Sequence, residues 1–388
     1  DKSLDPWVQS ISINTGVRSK KHKIYNLGEK IPKQLIQIWD KLSKQKKNCA
    51  VWGTMNTSFK DNKYIKIFLP DPWNYQNKVK PKELKKFYEL PREYAQNYTN
   101  FSFLLNSRKI FSLIFYLIKK LMLLDLIILF LKSLSIFSKK GFKNYIFFFL
   151  FDIISLKIFQ NLSNNYKLNF SLIFLNSLAH YQHNNWNEHS SHKYYFYFTN
   201  QILKIIFELS KNYDSLIIYN GFSQKKIKSQ YMIRPKNPKN FFKKIGIKFK
   251  SLHSNMTNGA IVSFNTKENF IKAIKIIKNY NIYGFNVFDL ITINKNQLFI
   301  RVKIRATKNL SREYIDSENF KNCFFYEEKN TILKKNINLN IKDFIKSMIF
   351  IKTTSKHIPE GELFYKGIKI KERKIENIKI FNLVDNYL

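Results

Sequence analysis

Four short and almost wholly apolar runs most constrain what this chain can fold into. Each is stopped by Gly, Pro or Asn, and the runs are Cys49–Gly53, Tyr64–Leu69, Ser171–Leu175 and Ser215–Tyr219. Runs of this length between turn residues are typical of strands buried on both faces. The helical pattern at 194–209 separates the last two runs. We therefore predict a strand–helix–strand crossover in a mostly parallel sheet of an α/β protein.

Two other regions depart from this alternation. Residues 101–165 carry helical apolar patterns and are expected to form a helical insertion. Residues 241–305 predict a small α+β lobe, with a strand at Ala260–Phe264, a helix at Thr266–Tyr280 and a hairpin around Asn294–Asn296. A further helix is predicted at Ile31–Gln45.

The charge balance is strongly basic. The chain has 388 residues and a formal net charge of +40, from 67 Lys+Arg against 27 Asp+Glu. Such a balance suits nucleic acid, an anionic membrane or an anionic substrate. However, the basic residues run through the whole chain beside abundant Asn, Ile, Phe and Tyr, which favours a codon bias over a nucleic-acid footprint. Nucleic acid stays open as a partner but is not favoured.

Cysteine usage and hydropathy exclude two classes of protein. With only two cysteines, at 49 and 323, the chain has neither a disulfide framework nor a Cys-rich zinc motif. The apolar runs between 101 and 160 are broken by charges before about 18 residues, so helices that are buried or lie at an interface are favoured over membrane spans. The chain begins at Asp1 without Met, so we expect N-terminal residues to be missing, and the compartment cannot be read from it.

Two segments far apart are candidates for one metal site. Asn176 and His180 follow the third apolar run four residues apart, so a helix there puts both on one face. His357 precedes a Pro-x-Gly turn. Any metal must be held by His and carboxylate. The alternatives are a polar strand-end turn at 176–180 and a simple turn before an edge strand at 357.

Histidines also cluster locally after the third run, at 180, 183, 189 and 192. Their spacing matches no self-contained zinc motif. We expect His189 and His192 to be exposed loop residues, because Asn and Ser surround them.

The order of these segments resembles the alkaline-phosphatase superfamily, in particular its type I phosphodiesterase/nucleotide pyrophosphatase-like branch. Ser3–Gln9, followed by Thr15-Gly16 and His22, looks like the nucleophile segment, with Ser3 at the position of the nucleophile. Residues 176–180 stand where the family has an Asp-x-x-x-His metal pair. Residues 215–224 resemble the family's strand that ends in an Asp-His pair. Residues 357–361 resemble the segment with the family's last metal-binding histidine.

The resemblance implies a single alkaline-phosphatase-like domain over 1–388, with helices on both faces of the sheet. It implies hydrolysis of a phosphate or sulfate ester with Ser3 as nucleophile, and one or two divalent ions, zinc first, with metal ligands at His180, His357 and Asn176. Two departures matter: Asn176 replaces an aspartate, and Tyr219–Gln224 contains no Asp-His pair. A catalytically inactive relative that serves as a binding module, and a basic nucleic-acid-associated protein, therefore stay open, as does a membrane-surface role.

Overall fold

The computed structural model describes residues 4–96, 107–120, 127–128, 131–132, 134–135, 144–254, 258–282, 285–310, 323–326, 341–370 and 372–388. Within them the helices are α1 Pro6–Thr15, α2 Ser19–His22, α3 Ile38–Lys44, α4 Lys85–Gln96, α5 Ser107–Lys120, α6 Asn144–Ser163, α7 Ser177–Asn185, α8 His192–Ser210, α9 Pro238–Lys244, α10 Lys267–Asn279, α11 Ile341–Ser347 and α12 Lys379–Tyr387.

The strands are β1 Cys49–Trp52, β2 Ile65–Leu69, β3 Phe170–Ile173, β4 Leu216–Tyr219, β5 Ser223–Pro235, β6 Ser251–Ser254, β7 Gly259–Ser263, β8 Asn281–Ile282, β9 Phe285–Asn286, β10 Phe288–Asn294, β11 Gln297–Val302, β12 Ile304–Ala306, β13 Phe324–Tyr326, β14 Met348–Ile358 and β15 Leu363–Lys366. The protein is thus mixed α/β.

The chain divides into two compact units. The described residues within Asp1–Arg92, Asn106–Lys226 and Lys356–Leu388 form the first, and those within Glu93–Leu105 and Ile227–Ser355 form the second. The chain first enters the second unit at Glu93, within α4, and enters it again within β5 before it returns within β14. The predicted lobe at 241–305 lies inside the second unit, while the single domain over 1–388 stays a prediction.

A three-stranded parallel sheet in the order β2-β1-β3 organises the first unit. Successive side chains of β1 point to opposite faces. Ala50 and Trp52 join an apolar cluster with α6 and α8, and Cys49 and Val51 join one with α3. The parallel strands are therefore covered by helices on both faces, which explains their unbroken apolar sequences.

The fourth apolar run does not join this sheet. In the described structure, β4 pairs antiparallel with β15, so the predicted parallel crossover from β3 to β4 is wrong. The turn at Gly361 brings β15 back beside β4, and a Cβ on Gly361 would lie only 2.0 Å from the carbonyl oxygen of Asn220. A half-buried strand with such a closely packed antiparallel partner is satisfied without the central sheet.

Helix α3 is shorter than predicted, beginning at Ile38 and not at Ile31. The preceding residue, Gln37, is extended because its side chain serves a neighbouring loop. Its amide Nε2 donates to the Asn56 carbonyl at 3.1 Å, and its Oε1 accepts from the Ser58 N–H at 2.8 Å. These buried bonds replace a further turn of helix.

The second unit confirms the predicted elements of the lobe. Strands β10 and β11 form the hairpin and continue through β7 to β6 in an antiparallel sheet. Helix α10 begins after Thr266, whose hydroxyl caps it by accepting from the Asn269 N–H at 3.2 Å. Ala273 and Ile277 of α10 enter the apolar cluster beneath that sheet. A second sheet, β13-β12-β5-β14, and the short β8-β9 pair complete the unit.

Among the described helices, α6 contains one segment long and apolar enough to cross a membrane, Tyr145–Ser163, with a mean hydropathy of 1.5. Slightly more than half of that segment, 56%, is buried inside the fold. Tyr145, Phe149 and Ile153 lie in the core cluster of the first unit. A core helix of a soluble protein has the same composition, so this segment is weak evidence for a membrane span.

Candidate functional site

The candidate site lies where the parallel strands end. Helix α7 begins four residues after β3, at the carboxyl edge of the sheet, where open α/β sheets place their ligands. The buried carboxylate of Asp152 holds this start, because its Oδ2 accepts from the N–H groups of Asn176 at 3.0 Å and Ser177 at 2.8 Å. An anion there also complements the helix dipole. Burial raises the pKa of Asp152 to about 6.

The start of the chain is held at the same edge. The amide of Asn56, in the loop after β1, donates to the Trp7 carbonyl of α1 at 3.3 Å, and Ser10 donates to the Met55 carbonyl at 2.7 Å. The Asn56 N–H in turn donates to Asp71, which follows β2, at 3.0 Å. Helix α1 is thus fixed to the loops after two neighbouring strands.

His180 occupies a half-buried and already bonded position on α7. Its ring stacks on Phe148 of α6 with the centroids 3.5 Å apart. Asn184 donates from Nδ2 both to the His180 carbonyl at 3.0 Å and to the ring Nδ1 at 3.1 Å. The first bond fixes the orientation of the amide, so Nδ1 is an acceptor and the proton of the neutral ring lies on Nε2. Burial lowers the pKa of His180 to about 4. Neither nitrogen then offers a free lone pair to a metal.

His183, one turn further along α7, contacts His357 directly. Their Nε2 atoms are 3.1 Å apart and their ring planes meet at 61°, although 174 positions separate them in sequence. At this distance one nitrogen donates and the other accepts. The structure therefore brings the two predicted segments together, with His183 as the immediate partner of His357.

Both imidazoles of this pair are uncharged at neutral pH. Burial, followed by repulsion from His357 and His180, lowers the pKa of His183 to about 3. Burial also lowers the pKa of His357, while the nearby Asp5 carboxylate and a hydrogen bond to the Leu4 carbonyl oppose that shift. The Asp5 carboxylate favours the protonated form of His357, which makes this ring the candidate proton acceptor of the pair.

The contacts of His357 lead to the beginning of the chain. Leu4 and Asp5 directly precede α1, and Asp5 stands at its N-cap position without capping it through its side chain. Ser3, the predicted nucleophile, lies outside the described residues. Leu4 and Asp5, the two residues that follow Ser3, lie beside His357.

The segment that replaces an Asp-His pair also reaches the site. The ring of Phe222 lies 4.6 Å from that of His357, and Gln224 donates to the Ala179 carbonyl of α7 at 3.3 Å. An aromatic ring and an amide thus stand where the resemblance implies two metal ligands.

The predicted ligand Asn176 and His22, from the segment that resembles the family's nucleophile region, have structural roles. The backbone of Asn176 precedes α7 and bonds Asp152. His22 is buried and forms a 3.1 Å bond to Ser12, while its Nδ1 accepts from the Ile24 N–H at 3.0 Å. That second bond places the proton on Nε2, so His22 donates to Ser12 and does not act as its base. His189 is exposed as predicted, whereas the ring of His192 is partly buried and lies 3.3 Å from the Trp186 carbonyl.

The donor set does not complete the metal centre that the resemblance implies. No three His, Cys, Asp or Glu residues in the described ranges are grouped so that they could hold an ion. A catalytic zinc site uses three protein ligands and keeps one open position, whereas His183 and His357 supply two. Zinc binding by His180, His357 and Asn176 therefore stays a prediction.

Sequence reasoning missed three contributors to this arrangement. His183 was one member of a local histidine cluster, and its i+3 spacing from His180 is the signal that puts both on one side of a helix. Asp5 lay in the predicted nucleophile segment without a role. Asp152 interrupts an apolar helix, and a lone carboxylate in such a run usually has a buried partner to satisfy.

Comparison with protein-family models, curated proteins and solved structures finds no significant match for this chain.

Proposed function

We propose that the first unit is an alkaline-phosphatase-like fold that hydrolyses a phosphate or sulfate ester at the His183–His357 pair. One observation carries the proposal: the three distant segments that the resemblance assigns to one site converge on His357. They are the chain start at Leu4–Asp5, helix α7 through His183, and the end of β14. A surface with many more cations than anions favours the approach of an anionic ester.

In the proposed reaction, the Ser3 hydroxyl attacks phosphorus or sulfur and passes its proton to the neutral ring of His357. The ester bond to the alcohol breaks, and the alcohol leaves with the proton from the imidazolium. Water then hydrolyses the seryl ester and releases phosphate or sulfate. Before the attack His183 holds the ring of His357 through the Nε2 contact. His357 then takes the proton at that nitrogen, where the bond to His183 gives way to one with Ser3, and Asp5 stabilises the imidazolium. No metal-dependent step is included, since the described donor set is incomplete.

The test uses the full-length protein and three probes: an aryl phosphate, a diaryl phosphodiester and an aryl sulfate. We expect cleavage of at least one, its loss in Ser3→Ala, and a trapped phospho- or sulfo-seryl peptide detectable by mass spectrometry after rapid acid quench. Absence of cleavage of all three, with and without added zinc, would refute the proposal. Cleavage that survives Ser3→Ala would refute the assigned nucleophile.

A binding module is the second candidate, and one observation favours it. Uncharged groups, Asn176 and the Phe222–Gln224 segment, stand where the resemblance implies carboxylate and imidazole ligands. If a cellular function survives both Ser3→Ala and His357→Gln, binding and not catalysis is the function. If the resemblance were accidental and the chain a nucleic-acid-associated protein, we would expect His180 and His357 to lie far apart, whereas both act electrostatically on His183.

A further inference from the structure

Helix α5 is apolar on two sides, and only one of them is covered. Leu113, Tyr116 and Leu117 pack against the core cluster of the first unit. On the other side Phe111 is 69% exposed and Phe115 66%, with Ile114 and Ile118 about half exposed. The spacing i, i+3, i+4, i+7 aligns these four side chains into one stripe along the helix.

Further apolar side chains are exposed in the elements that follow this helix in sequence. Four further apolar side chains are exposed in the following described residues, which are also helical: Ile127, Ile128, Leu131 and Leu134. Phe147 of α6 is exposed as well. Scattered apolar residues are ordinary on a protein surface, but a helix-length stripe of Phe and Ile marks an interaction site.

The basic residues at both ends of α5 indicate what kind of surface covers this stripe. Arg108 and Lys109 precede it, Lys119 and Lys120 follow it, and 107–120 contains no acidic residue. A second copy of the chain would bring like-charged ends and two net charges of +40 together, which opposes association. An anionic bilayer offers acyl chains for the apolar stripe and negative headgroups for its basic ends.

We propose that α5 docks this protein on an anionic membrane surface. The helix has 14 residues and is about 21 Å long, too short to cross a hydrocarbon core of about 30 Å. It therefore lies in the plane of the interface, with Phe111 and Phe115 inserted at the boundary between headgroups and acyl chains. The proposal stands on the stripe and its charges alone, independently of any catalytic activity.

The experiment is vesicle flotation of the full-length protein. The probes are vesicles of phosphatidylcholine alone and vesicles with about 30% phosphatidylserine, near the anionic content of a cytoplasmic leaflet. We expect binding to the anionic vesicles and at least about a tenfold loss of binding in 0.5 M salt, where the Debye length shrinks to a few ångströms. Absence of binding to either vesicle overturns the proposal.

Variants separate the stripe from nonspecific attraction. Phe111→Ser with Phe115→Ser is expected to weaken binding at least about tenfold, because two large apolar groups no longer enter the bilayer. The matched control is Ile271→Ser on α10, a side chain outside the stripe that is 54% exposed and should not affect binding. Circular dichroism checks that both variants are folded.

Two outcomes of the variant experiment contradict the membrane assignment. One is a double variant that folds and still floats with anionic vesicles as the unaltered chain does. The other is an unaltered protein that is a dimer by light scattering and a double variant that is a monomer with unchanged vesicle binding. A second copy of the chain would then cover the stripe.

Discussion

Replacing His22 by glutamine is expected to remove a defined part of the acid sensitivity of the first unit. His22 is 6% exposed and ties α2 to α1 through Ser12. Helix α1 in turn carries Leu4 and Asp5 towards His357. Glutamine retains donor and acceptor groups but cannot gain a charge near neutral pH.

The size of the effect follows from proton linkage. Burial lowers the pKa of His22 to about 4, from 6.5 in the unfolded chain. The unfolded state therefore binds the proton first, so the stabilisation is complete above pH 6.5 and is lost as pH falls towards 4. With these two values, His22 costs about 2 kcal/mol of unfolding free energy between pH 7.5 and pH 5. Loss of its native hydrogen bonds lowers the stability of the variant by about 1 to 2 kcal/mol at pH 7.5.

The assay is urea unfolding followed by tryptophan fluorescence at both pH values. The five tryptophans, at 7, 39, 52, 73 and 186, all belong to the first unit, so the signal reports on that unit. The other histidines contribute the same acid-dependent loss of unfolding free energy in both proteins. The difference between the two losses therefore isolates the contribution of His22. We expect the variant to lose about 2 kcal/mol less than the unaltered protein on acidification. Equal acid losses in the two proteins would refute the burial argument.

Three further predictions concern α7, α10 and the histidine pair. Asp152→Ala should lower the unfolding free energy by about 3 kcal/mol, since one buried and one partly buried N–H group lose their acceptor. The exposed Asp214→Ala should change it little, and fluorescence-monitored urea unfolding compares the two variants. Thr266→Ala should cost about 1 kcal/mol by removing a helix cap, measured by circular dichroism in urea, and an unchanged midpoint would contradict it. His357→Gln should raise the pKa of His183 above about 3, because it removes a repelling imidazole; a histidine NMR titration that finds no rise would contradict that cause.

The sequence was most informative where local patterns decide structure. Cys49–Trp52 and Ile65–Leu69 were recognisable as strands because both faces are buried, and α10 because its apolar residues recur at helical spacing above a threonine cap. The hairpin of β10 and β11 followed from its turn residues. In each case nearest neighbours in sequence carry the signal.

Pairings between distant segments were beyond the reach of such patterns. The sequence of β4 is compatible with a parallel sheet, yet a turn more than 130 residues later supplies its antiparallel partner β15. For the site, both segments were identified, but the choice of His183 over His180 as the partner of His357 depends on which face of α7 packs against Phe148. That choice is a property of packing between helices, which spacing alone does not set.

The most direct test of the central claim is the effect of His357→Gln on kcat/KM for whichever ester the protein cleaves. If His357 takes the proton of the nucleophile, the variant loses about 10²- to 10⁴-fold in kcat/KM. The matched control, His189→Gln, alters an exposed histidine of the same local cluster and should leave the rate unchanged. Equal rates for the folded His357→Gln variant and the unaltered protein would contradict a site built on His183, His357 and the start of the chain.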